Sequence, residues 1–358
     1  MSAFNTRFDR FSSFYLYGAT PAASGTIELL QAIDKQILGF VDKDSTKQNT
    51  DFMGYNVYAP SVLSDAKNND TGIIIVSAYQ LEIAGYLQRV GIDAQRVFPH
   101  LDGMFFPTYT DSYLSNSTLD VVAEKLGNDQ EKGYFSSWRH FKETGNLYAL
   151  KALPEMKNQY EHAAWWQTIG QGGLCGDIGA YDGVSSIEFA KTGSFSKIVA
   201  VEPFRENFNL LKATIKEHGY QDLIEPLQIA AGQSRETIWQ DTEDASSRSR
   251  LNANSNVSSV DKEQIEVFPI DALDMQGLTM LKVDIEGFEL AFLEGATETI
   301  KKYRPHIAIS AYHEKTHCCR IFEFFQRNFD GWSLNVGHHP QAVYELEYYI
   351  SFDQGSAL

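Results

Sequence analysis

The chain has 358 residues, with 30 basic against 47 acidic side chains and a net charge of −17. That balance repels nucleic-acid phosphates and an anionic membrane surface, so no nucleic acid is expected as a partner. Apolar residues at 43% and charged residues at 22% describe an ordinary globular protein, long enough for two domains.

Three cysteines, Cys175, Cys318 and Cys319, form neither a disulfide framework nor a paired metal motif, which suits a reducing compartment. No apolar run approaches the roughly 18–20 residues of a membrane span. The opening "MSAFNTRFDRFSSFYLYG" lacks the pattern of a signal peptide. A cytoplasmic protein is expected.

In chain order, Phe14–Tyr17 reads as a short strand, Gly18–Ala23 as a turn and Gly25–Ile33 as a helix, and "ILGFVD" is a second strand ending in Asp42. An acid roughly twenty residues past the first glycine suits a β-α-β unit. The strand "GIIIVSA" and a helix from Tyr79 to Val90 complete a first α/β domain at 8–108. Residues 109–165 turn helical. "STLDVVAEKLG" opens on the caps Ser117 and Thr118 and closes on Gly127, and "YFSSWRHFKETG" and "KALPEMKNQYEHAAWW" follow. From 166 to 358 a second α/β domain is expected. Its strands are "LCGDIGA", "KIVAVEP", "IEPLQIAA", "IEVFPID", "TMLKVDIEG" and "HIAISAYH", with a final pair near "WSLNVGHH" and "ELEYYIS". Helices are expected near 184–191, 205–218, 289–302 and 316–328, and 240–260 is a polar loop or insertion. Alternating strands and helices imply parallel sheets.

The loop "CGDIGAYDGVSS" has glycines at 176, 179 and 183, and so lacks the G-x-G pair of a dinucleotide loop. Its acids Asp177 and Asp182 would repel a pyrophosphate and would suit a cationic ligand such as S-adenosylmethionine. The strand "VAVEP" ends in Glu202, where an acid holds two ribose hydroxyls. In the competing reading the loop acids only cap the helix that follows.

"GDIGAYDGVSS", "VAVEPFRENF", "LKVDIEGFELAFLEGA" and "RPHIAISAYH", in that order, resemble the FkbM family of S-adenosylmethionine-dependent methyltransferases over about 172–350. The resemblance implies a Rossmann-like class I methyltransferase domain with a seven-stranded, mostly parallel sheet and helices on both faces. It implies methyl transfer to a hydroxyl, often on a sugar or a polyketide. By position, Asp177, Gly179, Ala180, Tyr181 and Asp182 would line the methionine end, Glu202 would hold the ribose, and Ala230 and Ala231 would approach the adenine. The first domain is similar to the smaller Rossmann-like modules of polysaccharide biosynthesis enzymes. Its "YGATPAAS" is poorer in glycine than theirs, and Pro21 removes a donor, so a role in assembly or acceptor docking stays open.

Methyl transfer needs an acceptor oxygen held in line and a group to take its proton. Asp284 ends a strand at the carboxyl edge of the sheet, where such sheets bind ligands. Either Asp284 is the general base, or Asp284 and Glu286 hold a divalent cation, magnesium by their oxygen chemistry. Glu286 and Glu289 also suit a plain helix N-terminus. His313, ending "IAISAYH", is a second candidate base. Lys282 and His338 are candidate acceptor contacts. The expected partner is a small molecule or glycan with a free hydroxyl, and a homo-oligomer is compatible with the sequence. Two other readings remain. A dinucleotide-dependent sugar oxidoreductase would need a hydride-transfer set such as Tyr-x-x-x-Lys, which the first domain lacks. A non-catalytic binding protein would keep the fold alone.

Overall fold

The computed structural model describes residues 3–65, 70–101, 117–150, 159–160, 166, 169, 171–241, 262–314, 316–337 and 343–353. The polar stretch 242–260, His338 and most of 151–165 fall outside them. The chain divides into two compact units, one of Met1–Ala123, Asn128–Glu155 and His338–Glu345, the other of Glu124–Gly127, Met156–Gly337 and Leu346–Leu358.

In the first unit a helix, α1 (Ala3–Phe8), precedes β1 (Ser13–Tyr17), α2 (Ser24–Ala32), β2 (Gln36–Val41), β3 (Asp51–Phe52), β4 (Tyr55–Tyr58), β5 (Gly72–Ile75), α3 (Gln80–Arg89) and β6 (Val97–Phe98). The sheet order is β3-β4-β2-β1-β5-β6, parallel except for β3. "GIII" is buried at every position, as expected of a strand covered on both faces. Phe8, Phe11, Phe14 and Phe98 form an aromatic cluster, with the Arg7 guanidinium over the Phe98 ring. Two helices follow, α4 (Ser117–Lys125) and α5 (Asp129–Thr144). The latter starts on Asn128, whose side chain accepts from Glu131 N, and ends on Gly145 in the left-handed region.

The second unit is built on a seven-stranded sheet. Its elements are β7 (Gly173–Ile178), α6 (Val184–Lys191), β8 (Phe195–Val201), α7 (Arg205–His218), β9 (Ile224–Leu227), β10 (Ala230–Ala231), β11 (Glu236–Asp241), β12 (Lys262–Phe268), β13 (Leu278–Val283), α8 (Glu289–Gly295), α9 (Thr297–Tyr303), β14 (His306–Ser310), α10 (His317–Asn328), β15 (Trp332–Gly337) and β16 (Glu347–Phe352). The large sheet runs β15-β16-β14-β13-β7-β8-β9, with only the β14–β16 and β15–β16 pairs antiparallel. Its strand order reverses between β7 and β13, which places a ligand crevice at the carboxyl ends of those strands. The fold class expected from the sequence is the one observed.

Two local expectations change. "IEPLQIAA" is two strands in two sheets. β9 is an edge strand, where Pro226 needs no ladder donor, and β10 leaves to join the small sheet β10-β12-β11. The helix expected over 289–302 breaks at Ala296, where Thr297 Oγ1 donates to Leu293 O at 2.9 Å.

Strand pairing lines up one face of the large sheet. Ala200, Asp177, Lys282, Ala308, Tyr349 and Asn335 are successive partners in one row. Below that row the face is apolar, with Cys175, Ile198 and Met280 packed under Ile187 and Phe189 of α6 and Leu211 and Ile215 of α7. One pleat beyond it, at the carboxyl edge, lie Glu202, Gly179, Asp284, Ser310 and Glu347.

Candidate active site

Gly179 follows β7 with φ 82°. A Cβ there would lie 1.8 Å from the Asp284 carbonyl oxygen, so only glycine lets this loop cross the end of β13. Tyr181, at φ 50°, and Gly183, at φ 88°, turn the chain into α6. Tyr160 (φ 67°) and Glu286 (φ 54°) add two more strained backbones at the same site, each costing on the order of 1–3 kcal/mol.

Of the two loop acids only Asp177 faces inward. Asp177 is fully buried and accepts from Ser185 Oγ at 2.7 Å and Ser186 Oγ at 2.5 Å. The Lys282 ammonium lies 3.2 Å from its other oxygen and donates to Gly179 O. Burial would pull the Lys282 ammonium down, but Asp177, Asp284 and Glu202 outweigh it and push its pKa up. Lys282 and Asp177 thus form an internal ion pair that fixes the loop from below. Asp182 accepts from Val184 N at 3.1 Å, at the start of α6.

Glu202, 4% exposed, ties the loop to the end of β8. Its oxygens accept from Tyr181 N at 3.0 Å, Phe204 N at 3.1 Å and Asn207 Nδ2 at 3.2 Å. Burial raises its pKa against the pull of these donors. Beside it opens a cavity of about 310 Å³, lined by Gly179, Tyr181, Val201, Glu202, Pro203, Phe204, Asn207, Ala230, Ala231, Asp284, Ile285, Glu286 and Phe288. Phe204 and Phe288 rest on the apolar cluster of Ala230, Ile265 and Val267, which brings the small sheet to the cavity wall.

Asp284 lines the same cavity across Gly179 from Glu202. Its Oδ2 accepts from Tyr160 Oη at 2.5 Å, and the Tyr160 ring lies 5.2 Å from the Lys282 ammonium. Its Oδ1 lies 3.3 Å from His313 Nε2, and Glu286 Oε2 lies 3.7 Å from the same nitrogen. The other face of the imidazole is held by Glu289, fully buried, whose Oε1 accepts from Nδ1 at 2.7 Å. Glu289 also accepts from Ile285 N and Gly287 N, each at 3.1 Å, and its Oε2 lies 3.1 Å from His317 Nδ1. Burial pulls His313 down, but Glu289, Asp284 and Glu286 override it and push its pKa up to about 9. Burial likewise pushes Glu289 up, and His313 and His317 hold it well below the usual carboxylate range.

Asp284, Glu289 and His313 bring ligand-type atoms within 4.8 Å of one another. The ring lies between the two carboxylates, one at each nitrogen, so the three share no common centre for a cation. Asp284 and Glu286 instead both face the imidazolium, which supplies the positive charge a metal would supply. The geometry gives magnesium no support.

The structure therefore brings Gly179, Tyr181, Glu202, Ala230, Ala231, Asp284 and Glu286 to one cavity. His313 stands behind Asp284, while Asp177 and Lys282 lie beneath the loop. Tyr160, Asn207 and Phe204 join the site without having been singled out in the sequence, and Glu289 emerges as the residue that orients His313. A polar residue one turn into α7 was a weak signal for Asn207. Tyr160 stands 124 residues from Asp284 and carried none.

Residues 177–346 match the family model described as methyltransferase FkbM domain, and residues 13–98 match one described as C2185-like, N-terminal. No curated protein matches the chain. Among solved structures, methyltransferase FkbM from Methylobacillus flagellatus KT is similar with a TM-score of 0.67 at 17% identity, covering 98% of this chain and 93% of that one. That likeness is one of fold. The tRNA (m1A22) methyltransferase TrmK of B. subtilis has a TM-score of 0.35 at 11% identity, over 55% of this chain and 67% of that one. A putative tRNA (m1A22) methyltransferase of Streptococcus pneumoniae, in complex with S-adenosyl-L-methionine, has 0.34 at 12%, over 52% and 68%.

Proposed function

We propose that this chain, whose residues 177–346 match the methyltransferase FkbM domain model, moves a methyl group from S-adenosylmethionine to a hydroxyl oxygen of a sugar or glycan precursor. One observation carries the reading. A single cavity has Glu202 and Asp284 on opposite sides of a glycine whose backbone is stripped of any side chain.

The residues present fit that cofactor. Glu202 is fixed by amide donors and by no partner lysine at salt-bridge distance among the described residues, so its remaining lone pairs can accept from two ribose hydroxyls. Ala230 and Ala231 leave room for a flat ring between Phe204 and Phe288. Bound S-adenosylmethionine supplies a methyl group already activated by its sulfonium. Asp284 accepts the proton of the acceptor hydroxyl, held by Tyr160 on one oxygen and His313 on the other. An oxygen gaining a methyl group becomes strongly acidic, so a carboxylate can take its proton. His313, kept charged by Glu289, holds Asp284 and Glu286 in place and offsets their mutual repulsion. Those two carboxylates at the cavity mouth disfavour an anionic acceptor group and suit a neutral hydroxyl.

Calorimetric titration with S-adenosylmethionine and S-adenosylhomocysteine should show saturable binding to the wild-type protein. Absence of binding would end this reading. Transfer is then followed with labelled cofactor on a panel of nucleotide sugars and oligosaccharides.

A further inference from the structure

At the edge of the large sheet, three buried polar atoms stand in one row without a hydrogen-bond partner among the described residues: Asp284 Oδ1, which has the His313 imidazole at an ion-pair distance of 3.3 Å, Ser310 Oγ and Glu347 Oε2. Ser310 and Glu347 are direct cross-strand partners, so their side chains share a face. Asp284 and Ser310 each lie one residue beyond the paired Val283 and Ile309. The row thus crosses β13, β14 and β16. Ser310 and Glu347 are fully buried. Glu347 Oε1 accepts from Gln159 Nε2 at 3.2 Å, and Gln159 brings no charge. A buried anion there would face Asp284 with no cation at salt-bridge distance among the described residues, whereas a protonated acid turns one orphan acceptor into a donor for the row.

We propose that Asp284, Ser310 and Glu347 form one proton-sharing row in which Glu347 is the neutral member and Asp284 the ionised one. Glu347 donates toward Ser310, directly or through a buried water held by the same atoms, and the Ser310 hydroxyl donates toward Asp284 Oδ1. Glu347 is then a positioning residue. It fixes the carboxylate that accepts the acceptor proton and leaves only one of two neighbouring carboxyls charged. Burial first, and then the charge of Asp284, push the Glu347 carboxyl up to about 8, against the pull of Gln159 and of His313. The role as a positioning residue rests on the methyl-transfer reading, but the protonation state does not.

Difference infrared spectroscopy of wild type against Glu347→Gln, from pH 6 to 9, tests it without any acceptor. The wild-type protein should show a protonated-carboxyl band at pH 7, absent from the variant and titrating away near pH 8. Asp284→Asn, by removing the neighbouring negative charge, should shift that midpoint to lower pH. Ser310→Ala should change the band's frequency. A band missing at pH 7, or a midpoint that ignores Asp284→Asn, overturns the proposal. Should S-adenosylmethionine fail to bind while the band behaves as described, the methyl-transfer reading falls and the row stands. Glu347→Gln, which keeps a neutral donor, should also flatten any alkaline loss of transfer rate, an effect a purely structural role would not produce.

Discussion

Each unit carries a glycine after its first strand and an acid just after its second, and the two acids have opposite surroundings. In the first unit Asp42 is closed in. Its Oδ2 accepts from Ala19 N at 3.0 Å and lies 3.3 Å from Lys47 Nζ, its Oδ1 accepts from Asp44 N at 2.9 Å, and Lys47 also donates to Ala19 O at 3.0 Å. Thr20 Oγ1 donates to Val76 O at 2.9 Å, which ties the glycine loop to the end of β5. In the second unit Glu202 is held by neutral donors and borders a cavity. The same strand order thus yields a self-satisfied turn in one place and a cavity-facing carboxylate in the other. What separates them is a lysine five residues downstream of one acid and an asparagine five residues downstream of the other.

The largest expected contrast is chemical. Asp284→Asn should reduce methyl transfer by about 10²–10⁴-fold, the range for a lost general base, with cofactor binding intact. Asp42→Asn should leave transfer unchanged. Equal losses in both would erase the distinction between the units.

Next come the glycines. Gly179→Ala sets a Cβ 1.8 Å from a backbone oxygen at φ 82°, and Gly18→Ala sets one 3.0 Å from Val76 O at φ 114°. The first should cost about 3 kcal/mol or more, at the upper end for single substitutions, and the second about 1–2 kcal/mol. Denaturant unfolding of the two variants ranks them. A smaller loss at Gly179 would show that the two loops do not differ as described.

Glu202→Ala should weaken S-adenosylmethionine binding by about 10–100-fold, the value of hydrogen bonds to a charged acceptor. Asp42→Ala should lower stability slightly and leave that affinity untouched, as calorimetry on both would show.

The finest contrast is in pH. Glu289, with its pKa lowered from 4.5, contributes stability above pH 4.5 that is lost as pH falls below it. His313, raised from 6.5 to about 9, contributes stability that is full below pH 6.5 and lost as pH rises toward 9. Glu347, raised from 4.5 to about 8, adds a loss between those values. Thermal stability should therefore be greatest near pH 4.5, fall slowly to pH 6.5 and fall more steeply from there toward pH 9. A profile flat from pH 6 to 9 would contradict the buried charge arrangement around His313.

Much of this was legible in the sequence because it is local. The glycine loop, Glu202 at the end of "VAVEP" and Asp284 at the end of "LKVD" follow from strand-to-helix turns, and the carboxyl edge of a parallel sheet collects them. Asp177 and Asp182 were also visible, but not the direction of their oxygens. The serines of the following helix and a lysine from β13 turn Asp177 inward.

The sequence by itself determined the alternation of strands and helices, the parallel sheets and the set of acids at one edge, since hydrophobic period and turn chemistry act over a few residues. Only the tertiary structure decided which of those acids face a cavity, which are neutralised and which keep a proton. Charge state depends on burial and on partners such as Tyr160, His313 and Glu347, and only sheet pairing and packing bring those side chains beside Asp284.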